Sequence, residues 1–226
     1  MEEPVKIDLH VHASERSGCS SAGEEQLIRA AIAHGLDGLV FTDHHRLVDV
    51  EHLDELNNRH APFRVFGGIE ISLVEGEDVI VLGLHDPSLE ERDWTYPEVW
   101  QFVRDHDGFL ALVHPFRYSD HISIDIQTLP PDAIEAHSIH INRSQAQLID
   151  RVREDLYLPG LCNSDAHRVE HVGIYCNEME QSVETQNELL AELRAGAYSC
   201  WAAHDRIAAH NRWSDPRRQL PFEGVD

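Results

Sequence analysis

Apolar and polar positions along this chain form a repeating figure. Short runs that alternate or are wholly apolar, at 5–12, 36–42, 63–72, 78–84, 109–113, 133–136, 160–163 and 173–176, predict β-strands. Between them apolar residues recur at helical spacing: Leu27, Ile28, Ala31 and Ile32; Val50, Leu53 and Leu56; Val99, Phe102 and Val103; Ala146, Ile149, Val152 and Leu156; Leu189, Leu190 and Leu193. Ser21-x-x-Glu24 and Thr95-x-x-Glu98, the latter with Pro97, read as capping boxes, and Gly35, Gly108 and Gly196 are placed to end helices. Strands alternating with helices at this interval indicate a parallel sheet, and seven or so such units without a hairpin signal favour a closed α/β barrel over an open sheet. A chain of 226 residues fits one such barrel over residues 1–200, with 201–226 as a tail packed on or extending from it.

Polar residues interrupt this figure at the strand ends. In Asp8-Leu9-His10-Val11-His12 two histidines stand two apart in a strand, so both imidazoles face one side, a metal-chelating geometry. Asp165-Ala166-His167 repeats the spacing. His44, preferred over His45 as nearer its strand end, His85 and His114 close three further strands, and Pro115 favours an extended backbone at His114. Glu70 sits inside an apolar strand, where a lone charge costs several kcal/mol unless partnered, and a metal supplies that partner. The C-terminal strand ends of a parallel α/β barrel form one rim, where active sites are built, so these eight residues are expected to converge there.

Composition narrows the function. The chain carries 41 acidic against 18 basic residues, a net charge of −23, and Lys6 is its one lysine. Its average field repels polyanions, which disfavours general nucleic-acid or anionic-membrane binding. Any phosphate must be drawn in locally, by metal or arginine. Low lysine with abundant acids also points to a halophilic protein, whose self-repulsion salt screens. No segment is apolar enough to span a membrane, and the expected location is cytoplasmic. Cys19, Cys162, Cys176 and Cys200 are widely spaced, without Cys-x-x-Cys, and read as free thiols in a reducing compartment.

The ordered set Asp8-Leu-His-Val-His12, Thr42-Asp-His44, Gly68-Ile-Glu-Ile-Ser72, Leu82-Gly-Leu-His85, His114-Pro115 and Asn163-Ser-Asp-Ala-His167 resembles the polymerase and histidinol phosphatase (PHP) superfamily. The closing helix, residues 188–196, is similar to that family's last helix. The resemblance implies a distorted (β/α)7 TIM-like barrel that cleaves phosphoesters with two or three divalent ions, Mn, Zn or Fe. It implies that His10, His12, Glu70 and Asp165 hold one ion. Glu70 bridges to a second with His85 and His114, and His44 and His167 serve a third. A further ligand is expected five or six residues after His12, where Ser17 and Gly18 stand here; Glu15 or Cys19 is the nearest substitute.

The expected activity is thus metal-assisted hydrolysis of a phosphomonoester or a small nucleotide or oligonucleotide phosphoester, with no catalytic side chain beyond the metal ligands. Arg117 is the first candidate for a phosphate clamp, and Arg143 and Arg168 follow. The competing readings are an amidohydrolase, whose bridging lysine would have to be Lys6 or be replaced by Glu70, and a non-catalytic barrel that offers its rim to a partner.

Overall fold

The structure is a computed structural model that describes residues 4–214, with side chains to 210. In chain order it contains β1 (Val5–Val11), α1 (Glu24–Ala33), β2 (Gly38–Phe41), α2 (Val50–His60), β3 (Arg64–Ser72), β4 (Asp78–Leu82), α3 (Tyr96–Asp105), β5 (Phe109–Val113), β6 (Ala133–His137), α4 (Arg143–Leu156), β7 (Gly160–Cys162), β8 (Tyr175–Met179), α5 (Gln186–Ala195), β9 (Tyr198–Ala202) and α6 (His204–Ser214). Among these residues no helix is long and apolar enough to cross a membrane.

The helices start and stop where local chemistry satisfies their ends. Thr95 and Glu98 form the expected capping box, with Glu98 Oε2 accepting from the Thr95 amide at 3.0 Å, and Gly196 ends α5 in the left-handed conformation at φ 66°. The start of α1 differs from the sequence reading. Gly23 is its cap, Gln26 accepts from the Gly23 amide, and the carboxylate of Glu15 accepts from the Glu24 amide. An anion from the preceding loop thereby replaces Ser21.

The strands form one sheet in the order β7-β6-β5-β4-β3-β2-β1-β8-β9. Its sides alternate in use. In β4 and β5, Ile80, Leu82, Phe109, Ala111 and Val113 join one core, while Val79, Val81, Leu110 and Leu112 join another beneath α3 and α4. Full burial of each of these Val, Leu, Ile and Phe side chains stabilises the fold by about 1.5–3 kcal/mol. Beyond β7, Ala166 pairs with Val11 of β1 in parallel, with His12 N donating to Ala166 O at 2.9 Å and Ala166 N to His10 O at 3.2 Å. This contact closes β1 to β7 into a barrel-like ring. Asp8 braces the closure by accepting from the amides of Ser164 and Gly173, and burial lifts its pKa to about 6.

Two expectations are corrected here. The barrel is not wholly parallel: β4 runs antiparallel to both β3 and β5, and β8 runs antiparallel to β1 and β9. The reversal at β4 is a tight hairpin, in which Leu73 N donates to Glu77 O and Gly76 takes φ 92°, a value open to glycine. The second correction concerns cysteine. Cys162 and Cys200 form a disulfide with Cα atoms 5.3 Å apart, which staples β7 to β9, while Cys19 and Cys176 are free. Position 200 falls inside β9, and α6 packs Ile207 against Ile139, Cys162 and Tyr175; residues 215–226 of the expected tail lie outside the described residues.

Candidate metal centre

Two carboxylates organise the centre. Glu70 lies in β3, and its Oε2 is 3.4 Å from His10 Nε2, 3.2 Å from His12 Nε2 and 2.9 Å from His44 Nδ1, while its Oε1 is 3.0 Å from His114 Nε2. Asp165, just after β7, sets Oδ1 3.5 Å from His10 Nε2, 3.2 Å from His12 Nε2 and 3.5 Å from His167 Nδ1. His12 stacks between His44 and His167, with ring centroids 4.5 and 4.3 Å away. Seven of the eight candidate ligands, His10, His12, His44, Glu70, His114, Asp165 and His167, therefore meet at one mouth.

The donor set fits a cation. His10 Nε2, His12 Nε2, Glu70 Oε2 and Asp165 Oδ1 are buried and have no hydrogen-bond partner. Unpaired buried polar atoms are costly, and four of them pointing at one spot need a common partner. Their cross separations of 3.2–3.5 Å match the edge of a tetrahedron built on bonds of about 2.0–2.1 Å, which is about 3.3 Å. Further ligand groups adjoin: His12, His44 and His167; Glu70, Asp78 and His114; and His140, Asp165 and His167.

Electrostatics agree. Burial opposes ionisation of Glu70 and Asp165, yet the charge of His10 and the surrounding imidazoles hold both carboxyls well below their usual range. Burial likewise opposes the imidazolium of His10, but Asp165, Glu70 and Glu135 outweigh it and raise its pKa well above 6.5. His12 is different: burial depresses it to about 4, which leaves a neutral ring with a lone pair to give. The cluster thus borrows a proton on His10 to offset negative charge that a cation would meet.

His85 stands apart. Because β4 runs antiparallel, its end points away from the mouth, and His85 packs where a side chain on Gly67 would strike it, at 2.6 Å. The strand's first residue takes its place: Asp78 Oδ2 is 3.9 Å from His114 Nδ1. The sequence signal for Asp78 is the hairpin before it, the five residues 73–77 that close with Glu75-Gly76-Glu77. At Ser17 and Gly18, where the resemblance implies another ligand, Ser17 Oγ instead lies 3.5 Å from His12 Nδ1 and 2.5 Å from the buried Asp43 Oδ1, and a Cβ on Gly18 would meet nothing. Glu15 is committed to α1, and Cys19 is an exposed free thiol.

Glu135 was also missed as a functional residue. Fully buried in β6, it accepts from His10 Nδ1 at 3.1 Å, Asn163 Nδ2 at 2.9 Å and the His114 amide at 3.0 Å. A proton fixed on His10 Nδ1 leaves Nε2 as the ligand atom, as metal-binding histidines require. A carboxylate within an apolar strand was the same signal that singled out Glu70. The backbone is held here too: His114 and Asp165 sit at φ 29° and 51°, left-handed values that non-glycine residues adopt at strained functional positions. The extended backbone expected at His114 is therefore not found.

Access comes from one side. The side chains of His10, His12, Glu70, His114 and Asp165 are at most 2 % exposed, whereas His44, His167, Arg117 and His140 are 37, 18, 31 and 28 % exposed. Arg117 Nη1 and His140 Nε2 reach Asp165 Oδ2 at 3.4 and 3.5 Å, and burial keeps His140 neutral with a pKa near 3. The other two arginine candidates are elsewhere: Arg143 is exposed at the start of α4, and Arg168 pairs at 4.0 Å with Glu170 away from the cluster. Lys6 lies against Glu178 and the ring of Trp201, so Glu70 alone has a bridging position.

The family model described as PHP-associated matches residues 144–198, a segment that includes Asp165 and His167. No curated protein matches the sequence. The fold is similar to that of PsfC from Pseudomonas syringae PB-5123, at 20 % identity and TM-score 0.69, covering 94 % of this chain and 98 % of that one. It is similar to a two-domain protein from Bacteroides vulgatus containing a predicted PHP-like metal-dependent phosphoesterase, at 15 % identity and TM-score 0.64, covering 92 % and 69 %. An amidohydrolase from Chromobacterium violaceum shares the fold at 16 % identity and TM-score 0.59, covering 74 % and 89 %.

Proposed function

We propose that the chain is a member of the PHP superfamily, a reading supported by the PHP-associated match over residues 144–198 and by the shared fold, and that it hydrolyses a small phosphoester at a centre of two or three divalent cations. The observation that carries this reading is the set of four buried, unpartnered donor atoms on His10, His12, Glu70 and Asp165. These four would hold one ion; Glu70 with Asp78 and His114 a second; His44 and His167 beside His12 a third. Nitrogen and oxygen donors without a thiolate suit Mn, Zn or Fe. Such cations, when bound, supply Lewis acidity toward water and the phosphoryl oxygens.

The chain's own residues do the rest. Glu135 fixes the proton on His10 Nδ1, and Ser17, backed by Asp43, meets His12 Nδ1, so both rings keep Nε2 toward the centre. Arg117 stands at the open side, where its guanidinium can turn from Asp165 to a phosphate dianion and set its orientation. His140 offers a neutral ring beside it. The residues behind are buried, and the low dielectric there strengthens every charge interaction at the mouth. A chain of net charge −23 favours small phosphorylated substrates over long nucleic acids.

The test is an assay of metal-supplemented protein on phosphomonoesters, small phosphodiesters, lactones and cyclic amides, beside metal analysis of protein purified without chelator. Phosphoester turnover dependent on Mn, Zn or Fe is expected. Hydrolysis of lactones or amides alone would select the amidohydrolase reading, and absence of both metal and activity would select the scaffold.

A further inference from the structure

A second cleft lies beyond the metal ligands. After His167 the chain folds through two turns, His171 N donating to Arg168 O and Ile174 N to His171 O, and α6 packs alongside. Arg206 of α6 donates to the carbonyls of Gly173 and Glu170. Between this segment, α6 and His34 at the end of α1 opens a cleft of about 690 Å³.

Its lining inverts the charge of the chain. Acids outnumber Lys and Arg by 41 to 18 overall, yet among the described lining residues Arg168 and Arg206 face a single acid, Glu170, beside the imidazoles of His34, His171 and His210. That acid lies 4.0 Å from Arg168. Arg206 has no carboxylate within ion-pair distance among the described residues, and His171 Nδ1 is buried without a hydrogen-bond partner. The rings of His171 and His210 stand edge to face at 5.2 Å. Burial, then Arg206, lowers the pKa of His34, and burial, then His210, lowers that of His171 to about 4. Like groups crowded in this way gain from an anion set between them.

We propose that this cleft binds a phosphate group, as a site separate from the metal centre. The exposed guanidinium of Arg168 gives a charge-assisted, fork-shaped donor of the kind that selects phosphate over a monovalent anion, and Arg206, held in place by two carbonyls, adds its charge and its remaining N–H groups. The cleft is much larger than one phosphate, so it accommodates a phosphorylated small molecule anchored by that group. The phosphate comes either from a free ligand or from the far end of a bisphosphorylated substrate.

The experiment uses the full chain stripped with chelator, so that the metal centre holds no phosphate, titrated calorimetrically with inorganic phosphate. Saturable binding is expected, weakened about fivefold or more in the double variant Arg168→Ser, His34→Ala. Both positions are exposed and outside the metal centre, and unaltered circular dichroism checks the fold. In Mn-supplemented protein, a raised KM for a bisphosphate but not for the matching monophosphate assigns the cleft to the substrate's far phosphate. Unchanged KM values with lost phosphate binding assign it to a free ligand. Absence of saturable binding to the stripped wild type, or equal binding by the variant, overturns the proposal whatever the catalytic assay gives.

Discussion

Replacing Glu135 by Gln tests how the centre is built without touching a ligand. The carboxylate accepts three hydrogen bonds, Oε1 from His10 Nδ1 and Asn163 Nδ2 and Oε2 from the His114 amide. An amide has one oxygen. If it keeps the first pair, its NH2 confronts the His114 N–H and leaves a buried donor unmet, at about 1–3 kcal/mol. If it flips, its NH2 meets His10, whose proton then moves to Nε2 and blocks the ligand atom. Either way affinity for Mn or Zn is expected to fall about 10- to 100-fold, as for other partners of ligating histidines. That is about 1.4–2.7 kcal/mol. By linkage the melting temperature gained on adding metal shrinks by roughly 3–10 °C in a chain of this size. Competition against a chromophoric chelator gives the affinity and a thermal scan the stability. A folded Glu135→Gln variant with metal affinity within twofold of wild type refutes the reasoning.

Three further outcomes are expected. Asp78→Asn lowers metal stoichiometry or affinity about tenfold or more while His85→Gln leaves both within twofold, as metal analysis after dialysis will show; the reverse ranking restores the sequence-based ligand set. Metal-free protein loses stability steeply as pH falls from 6.5 toward 4, because His12, His137 and His140 are held neutral with pKa values of about 4, 4 and 3, and the unfolded chain takes up the protons first. His10, whose pKa is raised, contributes its full stability below 6.5 and does not offset the loss in that window; a flat melting temperature from pH 6.5 to 4 contradicts the assignment. With a net charge of −23, the melting temperature rises with KCl, since molar salt shortens the screening length to about 3 Å, and a fall would end the halophilic reading.

What could be seen in the sequence were features that depend on strand periodicity. His10 with His12 and Asp165 with His167 share a face by i, i+2 spacing, Glu70 is a charge in an apolar run, and His44 was separated from His45 by position; the side chain of His45 instead accepts from the Ser72 amide. What was hidden depends on direction and on contacts across the ring. An apolar strand reads the same forwards and backwards, so 78–84 concealed the reversal that exchanges His85 for Asp78. Cys162 and Cys200 are 38 residues apart, and only the placement of β9 beside β7 brings them together. Glu135 spoke with the same voice as Glu70, but its partners come from three other segments, which no local pattern displays.

The closing bridge between Val11 and Ala166 has one more implication. Its four flanking residues are His10, His12, Asp165 and His167, so the knot that shuts the cylinder is also the grip proposed for the ions. On the proposed assignment, chain topology and ion occupancy share a single equilibrium: loosening the seam disperses the donors, and removing an ion leaves the seam to carry unrelieved charge. Amide exchange at His12 and Ala166 reports both events at once.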